Sequence, residues 1–363
     1  MLLVASIADI RKKMIICGLT CLVVSLHPIL AGAADAKGVQ LLGPPPGDGP
    51  TEIWADFYLS DLTNIEAEKE LCVFEGVLTL TWHDSRQAFD VEALGLKERI
   101  YQGSFQFSEL YDGWWPQLIL TNESGDFSRR GNLLRIQPDG MMTYIEELDV
   151  STKSPMQMGS FPFDSQTCTA SFEALGFDVS EVLLRANPQN SDSKLQNVTV
   201  DDWRFIGFAT STSENGPLHA DSGQNLQSTF HVNIEVERDT GFILREIVAP
   251  LIMLIMLSWS VFWMDRESLG DRMDISFIGV LTVVAFQILV NEQLPRISYF
   301  TLMSTFLYIN YLLLCGSVIM NLVVGWLDRS GQKKLGNRID IYCRWIFPAS
   351  YFGLIGLSTL YYL

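Results

Sequence analysis

Four apolar segments of membrane-crossing length in the second half of the chain constrain its fold more than any other feature. Ile247–Met264 is uncharged over 18 residues; Ile275–Asn291, Ile297–Leu327 and Trp345–Leu363 follow it. A helix rising about 1.5 Å per residue needs roughly 20 residues to cross a bilayer core. Helices also satisfy their own backbone polar groups, as lipid demands. The second segment stands apart from the others. It belongs to the stretch Asp274–Glu292, closed off by Pro295, and steps of three and four put Asp271, Asp274, Ile278, Leu281, Ala285, Ile288 and Glu292 on one helical face. An ionised carboxylate turned to lipid costs roughly 2.5–3.5 kcal/mol even on the lenient insertion scale. Two readings remain open. Either the acids sit at the two membrane interfaces of a bundle helix, or several copies turn this face to a water-filled axis. In the second case acidic rings gather cations, and Ile278, Leu281 and Ile288 form a constriction that can dewet and gate.

Charge and hydrophobicity are segregated along the 363 residues. The net charge is −17 although 48% of residues are hydrophobic, and Asp35–Thr240 alone holds 33 Asp/Glu against 13 Lys/Arg. An acidic soluble half joined to an apolar half describes a membrane protein with one large extramembrane domain. Such a surface excludes nucleic acid as a partner, because phosphate binding needs a positive field. Arg11-Lys-Lys13, the apolar run Met14–Leu26 and the small residues Ala31-Gly-Ala33 have the form of a secretory leader cleaved near Ala33 or Ala34. The connection Asp328–Arg344 carries Arg329, Lys333, Lys334, Arg338 and Arg344, whereas the link between the second and third segments holds Arg296 alone. The positive-inside bias puts the basic connection in the cytoplasm and the soluble domain and C-terminus outside.

From Thr51 to Val236 the chain reads as short strands separated by turns. Trp54–Leu59, Phe74–Trp82, Leu133–Ile136 and Phe230–Val236 alternate or are rich in β-branched and aromatic residues. Asp139-Gly140, Glu123-Ser-Gly125 and Glu214-Asn-Gly-Pro217 supply turn signals, and a short helix is expected near Val91–Gly95. The fold class expected is an all-β, immunoglobulin-like sandwich followed by an all-α four-helix transmembrane domain. The expected division is a signal peptide 1–34, a Pro/Gly linker 35–50, the sandwich 51–241 and a transmembrane domain 242–363, with helices over 243–264, 272–292, 297–326 and 340–362. No Ser/His/Asp constellation, clustered metal ligands or Gly-rich phosphate loop suggests an enzyme or a resident cofactor.

Several local motifs now acquire a common meaning. Trp82-His-Asp84-Ser-Arg86, Trp114-Trp115-Pro116 with Asn122, Phe161-Pro-Phe-Asp164-Ser-Gln166, Leu244-Arg245 ahead of Pro250, and Leu294-Pro295 follow one another at fixed places in this topology. Together they resemble the pentameric ligand-gated ion channel (Cys-loop receptor) family in its prokaryotic branch, over roughly residue 51 to the end. The resemblance implies a homopentamer around a central pore in a bacterial inner membrane, in contact with lipid, with the N-domain in the periplasm. It also implies opening by a small agonist bound between subunits. Eukaryotic members of the family join a cysteine just after Phe-Pro-x-Asp-x-Gln to one fourteen residues earlier, and prokaryotic members commonly lack both; here Cys168 holds the later position and Ser154 the earlier one. That disulfide cannot form. Two free thiols at Cys72 and Cys168 are the expectation, with a Cys72–Cys168 bridge, which a periplasmic location permits, as the alternative.

The resemblance assigns Asp271, Asp274, Ile278, Leu281, Ala285, Ile288 and Glu292 to the pore lining, which five Asp274 carboxylates would make selective for monovalent cations. Pairing of Asp274 with Arg272 or Arg266 of a neighbour would weaken that charge. Asp164, Arg245, and Glu66 or Glu68 match the family's electrostatic cluster coupling the sandwich to the helices, with Pro295 beside it; an Arg fork can hold two carboxylates. Trp114, Trp115, Phe172 and Phe177 are the candidate aromatics of an agonist pocket, although Thr210–Gln227 contributes no aromatic wall. Glu146, Glu147 and Asp149 are candidates for a modulatory Ca²⁺ site, and His83, His219 and His231 for acid sensing. The competing reading is a periplasmic binding or sensor protein anchored by four helices that does not conduct.

Overall fold

A computed structural model of the chain describes residues 43–187, 199–200, 202–216, 226–264, 269–292 and 298–363. The expected signal peptide, residues 35–42 of the linker, Arg266 and Pro295 lie outside the described residues. Eleven described strands form two sheets: β1 (Thr51–Glu66), β2 (Leu71–His83), β3 (Arg99–Gln102), β4 (Leu118–Leu120), β5 (Ser128–Ile136), β6 (Met141–Lys153), β7 (Ser165–Ala174), β8 (Val182–Ala186), β9 (Thr199–Val200), β10 (Trp203–Asn215) and β11 (Gln227–Arg238). One sheet runs β3-β5-β6-β2-β1-β8 and the other β4-β7-β11-β10-β9, antiparallel except where β8 lies parallel to β1. The expected strands fall within β1, β2, β5 and β11, and the short helix spans Val91–Leu94.

Alternation explains the sandwich. Along β2 every second side chain, from Cys72 through Phe74, Leu78 and Leu80 to Trp82, is buried, and Phe172, Phe230 and Val232 answer from the facing sheet. Phe57 sits at the centre, stacking on Phe172 across the sheets at 6.3 Å and meeting Phe74 edge-on at 6.0 Å. Its ring lies over Gly76 of the neighbouring strand, where a Cβ would stand 2.3 Å from a ring carbon. Only glycine fits there. Asn122 ties the sheets together at one end: its Nδ2 donates to the carbonyls of Lys153 on β6 and Thr169 on β7, while its Oδ1 accepts from the Ser171 amide.

Cys72 on β2 and Cys168 on β7 form a disulfide between the two sheets, with Cα atoms 6.0 Å apart. This corrects the expectation of two free thiols. Both side chains point into the core from strands of the two facing sheets, a placement that requires knowing which strands face one another. Ser154, at the position of the missing second cysteine, hydrogen-bonds Thr169 twice: its Oγ accepts from the Thr169 amide at 2.9 Å and donates to the Thr169 carbonyl at 3.3 Å.

Four long helices follow: α1 (Gly241–Trp263), α2 (Leu269–Asn291), α3 (Leu302–Arg329) and α4 (Lys333–Tyr362). By length and composition the first three are apolar enough to cross a membrane. Thr301 starts α3 with a capping box shared with Ser304. The connection Asp328–Arg344, read from its charges as a loop, is mostly helical. α3 continues to Arg329 and α4 begins at Lys333, leaving a three-residue turn in which Gly331 takes a left-handed φ of 82°. Of its basic residues, Arg329 closes α3 and Lys333, Lys334, Arg338 and Arg344 lie in the first half of α4.

The disulfide makes a direct prediction. In protein denatured and alkylated without reductant, the Cys72 and Cys168 peptides should remain joined and unalkylated, while Cys315 and Cys343 react. Cys168→Ala should lower the thermal midpoint by the equivalent of roughly 2–5 kcal/mol. Alkylation of Cys72 before reduction would contradict the bridge.

Candidate pore helix and coupling interface

α2 has two opposed faces. Arg272, Ser276, Val283 and Val290 are buried, and Gly279 packs so closely on α3 that a Cβ would meet Leu314 at 3.1 Å. At about 100° per residue these five positions share one direction. Asp274, Ile278, Leu281, Ala285, Ile288 and Glu292 point roughly the opposite way and are all exposed in the protomer, Leu281 to 73%; Asp271, also exposed, lies on the flank of that stripe. Arg272 does not turn toward Asp274: its guanidinium is buried and its Nη2 donates to Asp340 of α4 at 3.0 Å.

A buried ion pair ties the membrane end of the sandwich to the helices. Arg238, the last residue of β11, donates from Nε to Asp164 Oδ1 at 2.8 Å and from Nη2 to Oδ2 at 3.2 Å; Gln166 Nε2 donates to the same Oδ2 at 2.7 Å. The guanidinium also lies over the Trp203 ring at 4.0 Å and the Phe161 ring at 4.9 Å. The loop between β6 and β7 so anchored reaches the helices through its backbone. The Leu302 amide donates to the Gly159 carbonyl at 2.9 Å, the Met303 amide to the Phe161 carbonyl at 3.1 Å, and the Met158 amide to the Tyr299 hydroxyl at 3.1 Å. The loop thus holds the start of α3, while Arg238 leads into α1 three residues later.

Arg245 is not Asp164's partner, which corrects the expected pairing. It pairs with adjacent Glu246, and its side chain is 73% exposed. The signal available in the sequence was position: an arginine closing the last strand, on the core-facing phase of β11, reaches a buried acid, whereas one inside α1 faces away. Glu66 holds Lys69 and Asn64, Glu68 is exposed, and both line a cavity of about 250 Å³ with Asp202, Trp203 and Arg238. The acids therefore stand near the Asp164–Arg238 pair without closing on it.

The aromatic candidates divide. Phe172 is 1% exposed and belongs to the core, because its β7 register turns it inward against Phe57. Trp114, also buried, meets Trp82 and Phe177 edge-on at 6.1 and 5.9 Å. Trp115 packs with Phe107 and Tyr144 at 4.9 and 5.3 Å and, like Phe177, stays partly exposed. Missed in the sequence were Phe107, Tyr111 and Tyr144, which complete this aromatic group; burial raises the phenol pKa of both tyrosines.

The proposed carboxylate cluster does not converge. Glu146 faces inward and takes two bonds from Arg129, whereas Glu147 and Asp149 lie on the other face of β6, where Asp149 binds Arg130 and Ser128. Strand alternation separates neighbours that a sequence run places together. Among the described residues no three His, Cys, Asp or Glu side chains are grouped to hold a metal. His83 contacts the Asp139 carbonyl and His231 lies between the hydroxyls of Ser171 and Ser213, where burial lowers its pKa; His219 lies outside the described residues.

Residues 41–240 match the neurotransmitter-gated ion-channel ligand binding domain, and residues 247–335 the neurotransmitter-gated ion-channel transmembrane region. The chain is similar to a γ-aminobutyric acid receptor subunit beta of Caenorhabditis elegans, 27% identical over 70% of this chain and 46% of that one. It is also similar to the mouse γ-aminobutyric acid receptor subunit rho-1, 24% identical over 72% and 54%. With a proton-gated ion channel of Gloeobacter violaceus it shares 23% identity over 86% of this chain and 84% of that one. The chain spans about half the length of the two receptor subunits.

Removing Arg238 leaves a buried carboxylate unpaired, which typically costs roughly 3–5 kcal/mol. Arg238→Gln should therefore lower the thermal midpoint of the solubilised protein sharply, whereas Arg245→Ala, at an exposed site, should change stability by no more than about 0.5 kcal/mol. Equal effects of the two substitutions would overturn the assignment of Arg238 as Asp164's partner.

Proposed function

This chain belongs to the neurotransmitter-gated ion-channel (Cys-loop receptor) family, whose members are pentameric ligand-gated channels and not enzymes, and we propose that five copies form a cation-selective channel of a bacterial inner membrane. One observation carries the reading: α2 presents an exposed stripe with acids near both ends, opposite the face that packs into its own bundle. Around a shared axis that stripe, Asp271 through Glu292, lines the pore. Asp271 and Asp274 raise cation concentration at the narrow mouth, and Ile278, Leu281, Ala285 and Ile288 form a dry barrier above them.

The prokaryotic assignment is supported by Ser154 in place of a cysteine, by the three-residue α3–α4 turn and by the similarity to the Gloeobacter protein. In this reading α4 is the fourth span, packed on the other helices through Tyr351, Phe347 and Cys343, which returns the C-terminus to the periplasm with the sandwich. Opening begins with a rearrangement of the sandwich. The loop between β6 and β7, locked to Arg238, shifts the start of α3, and α2 follows. Glu66 and Glu68 border the same junction. Acid is the first stimulus to test, because the relative matched over most of its length is named as proton-gated. Trp114, Trp115 and Phe177 remain the candidate wall of a small-molecule site, and Ca²⁺ a candidate modulator.

Surface-expressed protein should pass a current that grows as external pH is stepped from about 8 to about 4.5. Its reversal potential should follow the Na⁺ gradient, and Asp274→Asn should shift it toward the Cl⁻ potential. Leu281→Ser should leak at rest or open at several-fold lower proton concentration. A wild-type current reversing with chloride would exclude cation selectivity. Silence of surface-confirmed Leu281→Ser under every stimulus would favour the non-conducting sensor.

A further inference from the structure

A polar node lies where a membrane-spanning bundle should be apolar. The Arg272 guanidinium is fully buried; its Nη2 donates to Asp340 Oδ1 at 3.0 Å, and Asp340 is itself only 2% exposed. Around the pair, Asn321 Nδ2 of α3 donates to Ser276 Oγ at 3.2 Å, and Ser276 Oγ lies 3.5 Å from Ser317 Oγ. Arg272 Nε and Nη1 find no hydrogen-bond partner among the described residues. The cation is therefore held in the bundle chiefly by Asp340.

Arg272 sits between Asp271 and Asp274 in sequence, about 100° around the helix from Asp271. Were it turned the other way, each copy would carry one net negative charge at this end of the stripe instead of two. We propose that Asp340 is a specificity-determining positioning residue: by drawing the Arg272 guanidinium into the bundle, it leaves Asp271 and Asp274 uncompensated and so sets the sign of the ion that passes. The inference rests on the pore reading above.

The physics is a competition for one cation. A buried guanidinium without its carboxylate is poorly tolerated, and the long arginine stem lets the head swing to the nearest water while the methylenes stay packed. On α2 the nearest solvent-facing groups of opposite charge are Asp271 and Asp274. Asp340 acts without touching the ion, from a different helix.

The test compares Na⁺:Cl⁻ permeability ratios of the full chain, from reversal potentials across a tenfold NaCl gradient, for wild type, Asp340→Asn and Asp340→Asn/Arg272→Gln. The single variant should lose about tenfold in the ratio, and the double variant should return to within about twofold of wild type. A role in folding alone lowers expression without moving the ratio and gives no such recovery. An unchanged ratio in Asp340→Asn, or a double variant as unselective as the single, overturns the inference while leaving the pore reading intact. A wild type that conducts no cations overturns the pore reading and this inference with it. Should Asp340→Asn not accumulate, Arg272→Gln alone decides: an unchanged ratio supports an arginine held away from the lumen, and a raised ratio refutes it.

Discussion

The ion pair of Asp164 and Arg238 ties together three parts of the molecule that are distant in sequence. Arg238 ends the last strand and leads into α1; Asp164 belongs to a loop between β6 and β7; and that loop's carbonyls cap the beginning of α3. Taking two charges out of water costs several kcal/mol per ion, so the arrangement persists only because almost every polar atom around it is used. Asp164 accepts from Arg238 and Gln166, and Gln166 in turn holds both the amide and the carbonyl of Gln157. Trp203 and Phe161 close over the guanidinium faces. A change in the sandwich that moves β11 relative to the loop must strain this cluster or carry the helices along.

The membrane imposes the second constraint. Outside the membrane the core forms by alternation, with Phe57, Phe172 and the Cys72–Cys168 bridge joining the sheets. In the helical half, hydrophobicity no longer separates inside from outside, because lipid is as apolar as a core. What distinguishes the faces of α2 is size and polarity: Gly279 permits close approach to α3, Ser276 and Arg272 bond within the bundle, and the charged residues Asp271, Asp274 and Glu292 stay exposed. The opposed faces follow from those choices.

This explains which features were legible in the sequence. The sandwich, the turn at Asp139-Gly140, the long helices and the acid-ended stripe are periodic or local, and a pattern along the chain carries them. Pairings across the fold are not local. Whether Asp164 meets Arg238 or Arg245 depends on the phase of β11 and the direction of α1, and the Cys72–Cys168 bond depends on which strands face each other. Phe172 looked like a pocket aromatic until its register put it against Phe57, and Glu146 looked like a neighbour of Glu147 until alternation put them on opposite faces. The polar node of α2 left a trace, since Arg272 interrupts the acids of one helix and Asp340 interrupts the next basic cluster, but 68 residues separate the partners.

The two buried arginine–aspartate pairs solve different problems with the same chemistry. Asp164–Arg238 is well saturated and fixes a junction. Arg272–Asp340 is not: two guanidinium nitrogens go without partners among the described residues, and a hydrophobic replacement of similar volume would serve the bundle as well or better. An interaction that is a poor investment for stability calls for another account of its presence. The account offered by α2 is its charge balance. In the proposed pore, a helix that presents Asp271 and Asp274 to water needs the arginine lying between them kept elsewhere, and an acid on α4 is one way to keep it there.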